Sequence, residues 1–491
     1  MAIRFYNTMT RKTEEFLPLG RRPDAVENGG PRDRDPRAGQ YVRMYHCGPT
    51  VYSSPHIGNF RSFLLGDVLR RFLEYRGFDV HQVMNITDVG HLLDDADEGE
   101  DKLEVAARKE KVDPMAIAAR YTDEFFVGVD DLGFKRAHEY PRATDNVPQM
   151  IEMIEKLIEK GYAYVTESGN VYFDVSKFER YGELSANSID DLVAGHRVET
   201  KAEKKSPVDF ALWKRDPHHL MQWPSPWGEG FPGWHIECSA MSRRYLGDTF
   251  DIHTGGEDNI FPHHECEIAQ SEAANGVPFV RMWLHARHLL VNGEKMSKSQ
   301  GNFFTLQDLK DRGFSGLAVR HALSRVHYRQ PMNFTLEGMS EAQATIDKLT
   351  ETARRLREGA DFDEDESPEL PTFIEETRTE FVEAMSEDLN VSAALAAVHK
   401  VVSHANRTEA KGSNARTLLS LLEEFDSVLG FLEKTEEILP EQIEEQIRLR
   451  QEARANKDWA TADRIRDELK AQNIEIMDSP DGKIRWRRTR A

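Results

Sequence analysis

The fold is decided by residues 41–86, which read YVRMYHCGPTVYSSPHIGNFRSFLLGDVLRRFLEYRGFDVHQVMNI. Apolar residues recur there at steps of three and four, as an amphipathic helix requires, at Phe60, Phe63, Leu64, Val68, Leu69 and Phe72. Short apolar runs at residues 41–45 and 80–86 flank this helix and predict strands. Strand, helix and strand in this order form a βαβ unit, which predicts a parallel sheet with a ligand at the loop after the first strand.

That loop, residues 47–59, carries Pro55, His56, Gly58 and Asn59 and opens directly into the helix. A histidine at a helix N-terminus lies beside unpaired backbone N–H groups and the positive end of the helix dipole, where phosphates bind. Gly58 has no side chain, so a nucleotide can lie close to its backbone. The pattern predicts a nucleotide-binding loop.

A second informative stretch, residues 254–272, reads TGGEDNIFPHHECEIAQSE. Pro262 favours a helix start, and His263 and Glu267 are four residues apart, so they share one face of that helix. Imidazole and carboxylate at this spacing form half of a metal site, whose other half would be sulfur. The chain has three cysteines, namely Cys47, Cys238 and Cys266.

We expect zinc to be bound by Cys47, Cys238, His263 and Glu267, which would tie three distant segments into one pocket. Cys266 is three residues from His263 and either competes for the zinc or packs as a small buried hydrophobic residue, and we favour packing. A site assembled from such distant segments is typical of a working site rather than of a local structural staple.

A third motif consists of Lys295, Met296, Ser297, Lys298 and Ser299, and it lies in a loop that also contains Gly293. Two lysines three residues apart can act as a mobile clamp that neutralises charge on transferring phosphorus oxygens. The alternative is that this segment is an exposed basic loop that binds no phosphate. Because the His56 loop precedes this motif in an α/β chain, we favour the clamp.

Composition indicates a globular protein with a large core, since 39% of the 491 residues are hydrophobic and 30% are charged. No apolar run approaches the length of a membrane span, and the N-terminus has no signal-peptide core. Three cysteines exclude a disulfide framework, so we expect a cytoplasmic protein with no membrane contact. The net charge of −21 argues against a generic nucleic-acid binder, although residues 448–491 carry 12 Lys/Arg against 8 Asp/Glu.

The rest of the chain gives local predictions. Apolar spacing predicts helices at residues 113–131, 147–161 and 235–246, and helices dominate from residue 305 onward. Residues 162–174 predict a β-hairpin, and residues 440–486 predict helix followed by hairpin. The acidic residues 88–110 predict a loop, and the Pro- and Trp-rich residues 206–229 predict an irregular packed insertion.

Taken together, the motifs resemble those of class I aminoacyl-tRNA synthetases, and the segments around them resemble the cysteinyl-tRNA synthetase family nearly end to end. The segments that carry this likeness are CGPTVY (47–52), NITD (85–88), PGWHIECSAM (232–241), FDIHTGGED (250–258), FPHHE (261–265) and KDWATAD (457–463). Several independent motifs in the same order make the likeness specific.

The resemblance implies an α/β fold: a Rossmann-like parallel-sheet catalytic domain with an inserted subdomain, then an α-helical bundle and a small C-terminal α+β module. The implied domains are the first catalytic half (1–120), an inserted connective subdomain (121–230), the second catalytic half with the lysine loop (231–330), a tRNA-binding helical bundle (331–438) and an anticodon-binding module (439–491).

The implied function is ATP-dependent activation of L-cysteine to cysteinyl-adenylate and transfer of cysteine to the 3′ end of tRNA(Cys) by a monomer. One zinc ion, held at positions matching Cys47, Cys238, His263 and Glu267, would take the cysteine thiolate, and Mg²⁺ would accompany ATP. The implied amino-acid pocket is Thr87, Trp234, His253 and Asp258. The implied ATP site is Pro55, His56, Gly58, Asn59, Lys295, Met296, Ser297, Lys298 and Ser299, with His56, Lys295 and Lys298 acting in catalysis.

Asn59 departs from the family pattern, since it stands where a second histidine is usual, and we expect altered kinetics rather than loss of activity. His46, His235 and His264 are interpreted as packed or supporting residues. The basic residues around Trp486 are either a solvated tail or a contact for tRNA, and we favour the tRNA contact.

Two rivals remain. A cysteine ligase that transfers the same adenylate to an amino-sugar would share the catalytic half but lack a full anticodon-binding end. A non-catalytic zinc- and RNA-binding relative would not need an intact lysine loop and four zinc ligands.

Overall fold

The computed structural model describes residues 1–21, 40–90, 102–189, 203–297, 301–363, 366–433, 441–456, 458–471, 474–478 and 484–488. They form two compact units, which are Met1–Asp308 with Ser315–Leu432, and Leu309–Phe314 with Glu433–Ala491. Within these described ranges, no helix is both long and apolar enough to cross a bilayer.

The N-terminal part contains the predicted βαβ unit. Its elements are β1 (Arg4–Asn7), β2 (Lys12–Glu15), β3 (Gly20–Arg21), β4 (Gln40–His46), α1 (Ile57–Tyr75) and β5 (Asp79–Met84). β4 and β5 are parallel, as predicted, with Val42 opposite Val80 and His46 opposite Met84. The apolar stripe of α1 is buried from Phe60 to Leu73, which confirms the predicted helix.

The second half of the sheet comes from a distant part of the chain. Its elements are α5 (Trp234–Leu246), β10 (Phe250–Gly256), α6 (Glu265–Asn275), β11 (Val280–Ala286), β12 (Leu289–Val291) and β13 (Glu294–Lys295). The parallel strands lie in the order β11, β10, β4 and β5, and β3 pairs antiparallel with β4. Consequently Cys47, Thr87 and His285 lie at or just beyond the carboxyl ends of their strands, where ligands of parallel sheets bind, and His253 lies in the middle of β10.

Between the two halves lies an insertion made of α2 (Lys102–Glu110), α3 (Pro114–Asp131), α4 (Val147–Glu159), β6 (Ala163–Val165), β7 (Val171–Phe173), β8 (Phe210–Lys214) and β9 (Phe231–Pro232). Strands β6 to β9 form one antiparallel sheet in chain order, and β6 with β7 confirms the predicted hairpin. The helices predicted near residues 113–131 and 147–161 are confirmed.

Two local predictions in this insertion are wrong in part. Residues 102–110 are helical rather than a loop, because Leu103 and Ala107, four residues apart, are buried and give this part of the chain an apolar face. Residues 210–214 form a fully buried strand that pairs with β7 and β9, because the short apolar run between the prolines can pair in a sheet. Residues 91–101 lie outside the described residues.

After β13 the first unit is mostly helical, as predicted. The elements that follow are α7 (Leu306–Lys310), α8 (Gly316–Ser324), β14 (Met332–Phe334), α9 (Leu336–Gly359), α10 (Leu370–Ser386), α11 (Val391–Thr408) and α12 (Gly412–Leu429). In the second unit, α13 (Glu441–Ala455) and α14 (Trp459–Ala471) precede an antiparallel pair of strands, β15 (Ile474–Asp478) and β16 (Ile484–Arg488). The strand pair is as predicted, whereas two helices take the place of the single helix expected before it.

A buried arginine joins the nucleotide-loop helix to the helical region. Arg320 of α8 is fully buried, and its Nη2 lies 2.5 Å from Asp67 Oδ2 on α1, while its Nε donates to Leu429 O at 2.6 Å. Arg71 also donates to Asp67 Oδ2 at 2.8 Å. Burial by itself raises the pKa of Asp67, but the charges of Arg320 and Arg71 outweigh it, so the pKa lies below its usual value.

We expect Arg320→Met to destabilise the protein strongly, because it leaves the Asp67 carboxylate buried without its main partner. The expected loss in the free energy of unfolding is about 3–5 kcal/mol, measured by urea denaturation. Arg354→Met is the matched control, since it removes solvent-accessible pairs with Glu351 and Glu358 and should cost at most about 1 kcal/mol. Equal effects of the two substitutions would contradict this assignment.

Candidate functional site

Two cysteines, a histidine and a glutamate meet at the carboxyl edge of the parallel sheet. Cys47 directly follows β4, Cys238 lies in α5, His263 lies in the turn Ile260–His264, and Glu267 lies in the first turn of α6. One ligand atom from each of these four residues lies within 4.8 Å of the others, and all four residues are buried. The sheet brings together the four residues predicted as zinc ligands from three remote segments.

Two of the distances between the candidate ligand atoms are close to those of a tetrahedral zinc site. Ligand atoms bound to zinc at 2.0–2.3 Å are about 3.3–3.8 Å apart in a tetrahedron. Cys47 Sγ lies 3.8 Å from Glu267 Oε1, and His263 Nε2 lies 3.1 Å from the same oxygen. Two thiols, one imidazole and one carboxylate are donors that zinc accepts in proteins.

The four ligand groups are electrostatically coupled. Burial by itself lowers the pKa of His263, but the negative charges of Cys238 and Glu267 raise it to about 10. Burial would raise the pKa of Glu267, but His253 and His263 lower it to about 2. Without a metal, the protonated imidazole of His263 therefore neutralises the Glu267 carboxylate. Burial, followed by the charge of Glu267, raises the pKa of the Cys47 thiol, and the hydrogen bond with Cys47, followed by burial, raises the pKa of the Cys238 thiol.

A second grouping of potential ligands overlaps the first. Cys47 and Glu267 also lie within 4.8 Å of ring nitrogens of His253 and His264. His253 Nε2 is 3.0 Å from Glu267 Oε2, and His264 Nε2 is 3.1 Å from Cys47 Sγ. The first grouping offers two sulfurs and the second only one, so the softer set is Cys47, Cys238, His263 and Glu267.

The residues predicted to line an amino-acid pocket occupy different positions around this cluster. The Trp234 ring stacks on the His263 ring at a centroid distance of 4.3 Å, and His253 contacts Glu267 as described above. Thr87 Oγ1 donates a hydrogen bond to Glu237 Oε2 at 3.0 Å, and Glu237 directly precedes Cys238 in the sequence. Asp258 is exposed in the short turn Glu257–Asn259 that follows β10.

His56 is the N-cap of α1, as the sequence predicts for a phosphate-binding histidine. Its Nδ1 accepts a hydrogen bond from Asn59 N at 3.2 Å, and its backbone N–H donates to Asn59 Oδ1 at 3.0 Å, which forms a capping box. Because Nδ1 is an acceptor, a neutral His56 ring carries its proton on Nε2 and can donate from there. The two hydrogen bonds with Asn59 therefore fix the orientation of His56.

The fold brings the His56 loop against the start of the lysine loop. A methyl group placed on Gly58 would lie 3.4 Å from Met296 Cε and 3.0 Å from the His56 ring, so only glycine leaves this space open. Ile57 N donates to Phe304 O at 3.0 Å, on the other side of the lysine loop. Pro55 immediately precedes His56, and Lys295 is exposed at the end of β13. Lys298 and Ser299 lie outside the described residues.

Sequence reasoning missed Asn302 as a supporting residue. Its Oδ1 accepts a hydrogen bond from Ser297 N at 2.8 Å, and its Nδ2 donates one to Lys295 O at 3.2 Å. The Asn302 side chain, which follows the lysine loop, therefore holds the first part of that loop in place. An asparagine just after a Gly/Ser loop is the available signal, because its side chain readily bonds nearby backbone groups.

Histidines interpreted from sequence as supporting residues have specific contacts. His235 Nδ1 lies 2.9 Å from His263 Nδ1, and His46 Nδ1 lies 2.5 Å from Thr254 Oγ1. Cys266 is fully buried in the hydrophobic core, with its Sγ 3.4 Å from the Tyr181 hydroxyl. The side chains around Trp486 lie outside the described residues.

The family comparisons cover nearly the whole chain. The profile for the catalytic domain of class I (C) tRNA synthetases matches residues 34–344, a DALR domain matches residues 380–433, and a cysteinyl-tRNA ligase anticodon-binding domain matches residues 437–487. The cysteine–tRNA ligase of Geobacillus thermodenitrificans is 44% identical, with 99% of each chain covered. That of Clostridioides difficile is 42% identical, with 99% of this chain and 100% of the relative covered.

Solved structures share the fold at low sequence identity. Mycobacterium tuberculosis methionyl-tRNA synthetase in complex with methionyl-adenylate matches with a TM-score of 0.56 at 17% identity, covering 80% of this chain and 90% of that one. LeuRS of Agrobacterium radiobacter, in a ternary complex with tRNA and LeuAMS, matches with a TM-score of 0.58 at 13% identity, covering 81% and 84%. These matches agree with the parallel sheet and the helical region described above.

The pKa values predict a steep pH dependence of metal binding. Cys47 and Cys238 hold protons at neutral pH in the metal-free protein because their pKa values are raised, so binding one metal ion displaces at least two protons. The apparent zinc affinity should therefore rise with pH, by at least about 10² per unit near pH 7. Competition with a chromophoric chelator at several pH values measures this slope, and a change of tenfold or less per unit would contradict the assigned protonation states.

Proposed function

The chain belongs to the cysteine–tRNA ligase family of class I aminoacyl-tRNA synthetases, and we propose that its buried Cys/His/Glu cluster holds one zinc ion that selects L-cysteine. Family membership assigns to the chain the ligation of cysteine to tRNA(Cys), with ATP as the second substrate. The proposal adds the zinc ion, the residues that hold it and the residues that position each substrate.

The observation that carries the proposal is the convergence of four buried donor atoms within 4.8 Å of one another. Burying two thiols, an imidazole and a carboxylate together is unfavourable unless a cation or a proton compensates their charge. Cys47, Cys238, His263 and Glu267 would hold the ion. A zinc ion there supplies a borderline-soft Lewis acid with a preference for a thiolate over a hydroxyl oxygen.

The surrounding side chains would shape the amino-acid pocket. Trp234 stacks on His263 and holds that imidazole in one orientation, and His253 orients the Glu267 carboxylate through the contact of 3.0 Å. Thr87 is buried beside α5, whereas the exposed Asp258 carboxylate is available to the substrate amino group. Serine would lose a metal–sulfur interaction rather than a small packing term, so we expect strong discrimination without an editing site.

His56, Lys295 and Lys298 would bind ATP, with Mg²⁺, and stabilise the charge that develops during adenylate formation. His56 would donate from Nε2 to a phosphate oxygen at the N-terminus of α1. Pro55, Gly58, Asn59, Met296, Ser297 and Ser299 would line this site. Catalysis by positioning and electrostatics needs no side-chain nucleophile.

The acceptor is tRNA rather than an amino-sugar, since the full-length relatives are cysteine–tRNA ligases and an anticodon-binding domain matches residues 437–487. We propose the five domains with the boundaries stated above, with residues 331–438 and 439–491 contacting tRNA. A monomer remains our prediction for the assembly.

We expect Cys238→Ala and His263→Ala to abolish stoichiometric zinc binding, because each removes one of four ligands. Zinc content per chain should fall from about one to near zero, and kcat/KM in cysteine-dependent ATP–pyrophosphate exchange should fall by at least about 10². Cys266→Ala removes a buried thiol outside the cluster and is the matched control, expected to retain its zinc. Full zinc content in Cys238→Ala would refute the proposed site.

We expect Lys295→Met to reduce kcat for ATP–pyrophosphate exchange by about 10²–10³ while zinc content stays unchanged, because the lysine acts on phosphate charge and not on the metal. Exchange kinetics with varied ATP and cysteine, together with metal analysis, measure both effects. Lys12→Met, an exposed substitution in β2, is the control. An exchange rate in Lys295→Met equal to that of Lys12→Met would contradict the assigned role.

A further inference from the structure

The two residues that join β11 to β12 lie at the carboxyl edge of the parallel sheet. They are Arg287 and His288, and they directly follow Ala286, the last residue of β11. Gly256, the last residue of the neighbouring strand β10, lies opposite Ala286 in the parallel register. Because Glu257 follows Gly256, Glu257 and Arg287 lie side by side just beyond the ends of two adjacent strands.

The Glu257 carboxylate contacts this two-residue segment through both of its oxygens. Its Oε1 accepts a hydrogen bond from His288 N at 2.8 Å and also contacts His288 Nδ1, and its Oε2 lies 2.9 Å from Arg287 Nε. The Glu257 side chain is 18% exposed, whereas the other two side chains are half-exposed. A carboxylate that is largely shielded from water and accepts from both a backbone N–H and a guanidinium holds its partners more firmly than a fully exposed ion pair does.

Three further hydrogen bonds fix the backbone of the same segment to other elements. Arg287 N donates to Tyr328 O at 2.7 Å, and Arg287 O accepts from Arg61 Nε of α1 at 3.1 Å. His288 O accepts from Met332 N of β14 at 3.1 Å. The fourth backbone polar group is the His288 N–H, whose partner is the carboxylate described above. That carboxylate therefore links the segment to the end of β10.

The segment leads directly into the strand that precedes the lysine loop. β12 begins at Leu289, and its Leu290 pairs with Lys295 of β13 across the turn at Asn292 and Gly293. β12 also pairs with β14, so the position of the lysine loop follows from the position of these strands. The separation between the lysine loop and the end of β10 therefore depends on the segment that joins β11 to β12.

We propose that Glu257 is a positioning residue for ATP, because its carboxylate holds the start of β12, and with it Lys295, at a fixed distance from the end of β10. This inference rests on the proposed role of the lysine loop in binding ATP. An ammonium group stabilises charge on phosphate oxygens only from the correct position, and a misplacement of about 1 Å can cost about 10²-fold in rate. As a carboxylate, Glu257 would repel the phosphates, so it would act through the backbone of Arg287 and His288.

The alternative role for Glu257 is confined to its own turn, Glu257–Asn259, which carries Asp258. The two roles affect different substrates. A loss confined to the turn would weaken cysteine binding, since Asp258 belongs to the proposed amino-acid pocket, whereas a loss of the link to Arg287 and His288 would impair the use of ATP. Both carboxylate oxygens contact the segment after β11, which favours the link.

The test measures cysteine-dependent ATP–pyrophosphate exchange in the full-length, zinc-loaded protein, with ATP and L-cysteine varied separately. Glu257→Ala removes both contacts, and Glu257→Gln keeps an oxygen for the His288 N–H but loses the ion pair with Arg287. Arg287→Met loses the ion pair and leaves the carboxylate in place. Glu110→Gln is the matched control, because it removes a partly exposed ion pair with Arg120 that also joins two elements, α2 and α3.

We expect kcat/KM for ATP to fall by about tenfold in Glu257→Ala and by about threefold in Glu257→Gln and in Arg287→Met. The KM for L-cysteine and the zinc content should stay within about twofold of their values in the unchanged protein. Combining Glu257→Gln with Arg287→Met should cost no more than either substitution alone, because both remove the same interaction. Glu110→Gln should match the unchanged protein.

Three results would overturn the inference. An unchanged kcat/KM for ATP in Glu257→Ala would show that the carboxylate does not position the lysine loop. A rise in the KM for L-cysteine as large as the loss in kcat/KM for ATP would assign Glu257 to its own turn. Additive effects in the double variant would mean that the carboxylate and the guanidinium of Arg287 act separately.

Failure of the proposed function is recognised in the same assay. An exchange rate in Lys295→Met equal to that of Glu110→Gln would refute the ATP role of the lysine loop, and this inference with it. A low rate in Lys295→Met together with a normal rate in Glu257→Ala would overturn only the role of Glu257.

Discussion

The arrangement of the catalytic half depends on one constraint, which is that four ionisable side chains share one buried site. Cys47, Cys238, His263 and Glu267 are each at least nine-tenths buried. Buried charges of this kind persist only when they are paired, hydrogen-bonded or bound to a metal. The parallel sheet satisfies this requirement by aligning the ends of β4 and β10, so that segments about 200 residues apart face each other.

Buried arginines with hydrogen-bond partners also connect the helices around the sheet. Arg61 of α1 is buried and donates to the carbonyl oxygens of Leu323, His327 and Gln330. Arg320 joins Asp67 to the end of α12, as described above. Two buried arginines therefore position the helix that starts at His56 against the helical region that follows the sheet. A helix held at several points along its length keeps its N-terminus, and with it the nucleotide loop, in a defined place.

The elements with strong periodicity could be predicted from sequence, and those that depend on pairing could not. Helix α1 and the hairpin of β6 and β7 follow from apolar spacing and turn residues, which are local signals. Strand β8 was missed because its four apolar residues and Lys214 show no alternation, since residues on both faces of the strand are buried. Helix α2 was missed because it was grouped with the acidic residues 88–101 before it, which concealed the buried pair Leu103 and Ala107.

The sequence by itself determined which chemical groups are available and in what order, and it related them to a known family through several motifs. It could name Cys47, Cys238, His263 and Glu267 because thiols are rare in this chain and a spacing of four places two groups on one helix face. Only the tertiary structure decided which groups touch. Examples are the contacts of His264 with Cys47 and His285, the contact of His285 with Thr8, and the hydrogen bond from Ser297 to Asn302. These contacts depend on distances between strands and loops, and sequence spacing contains no information about those distances.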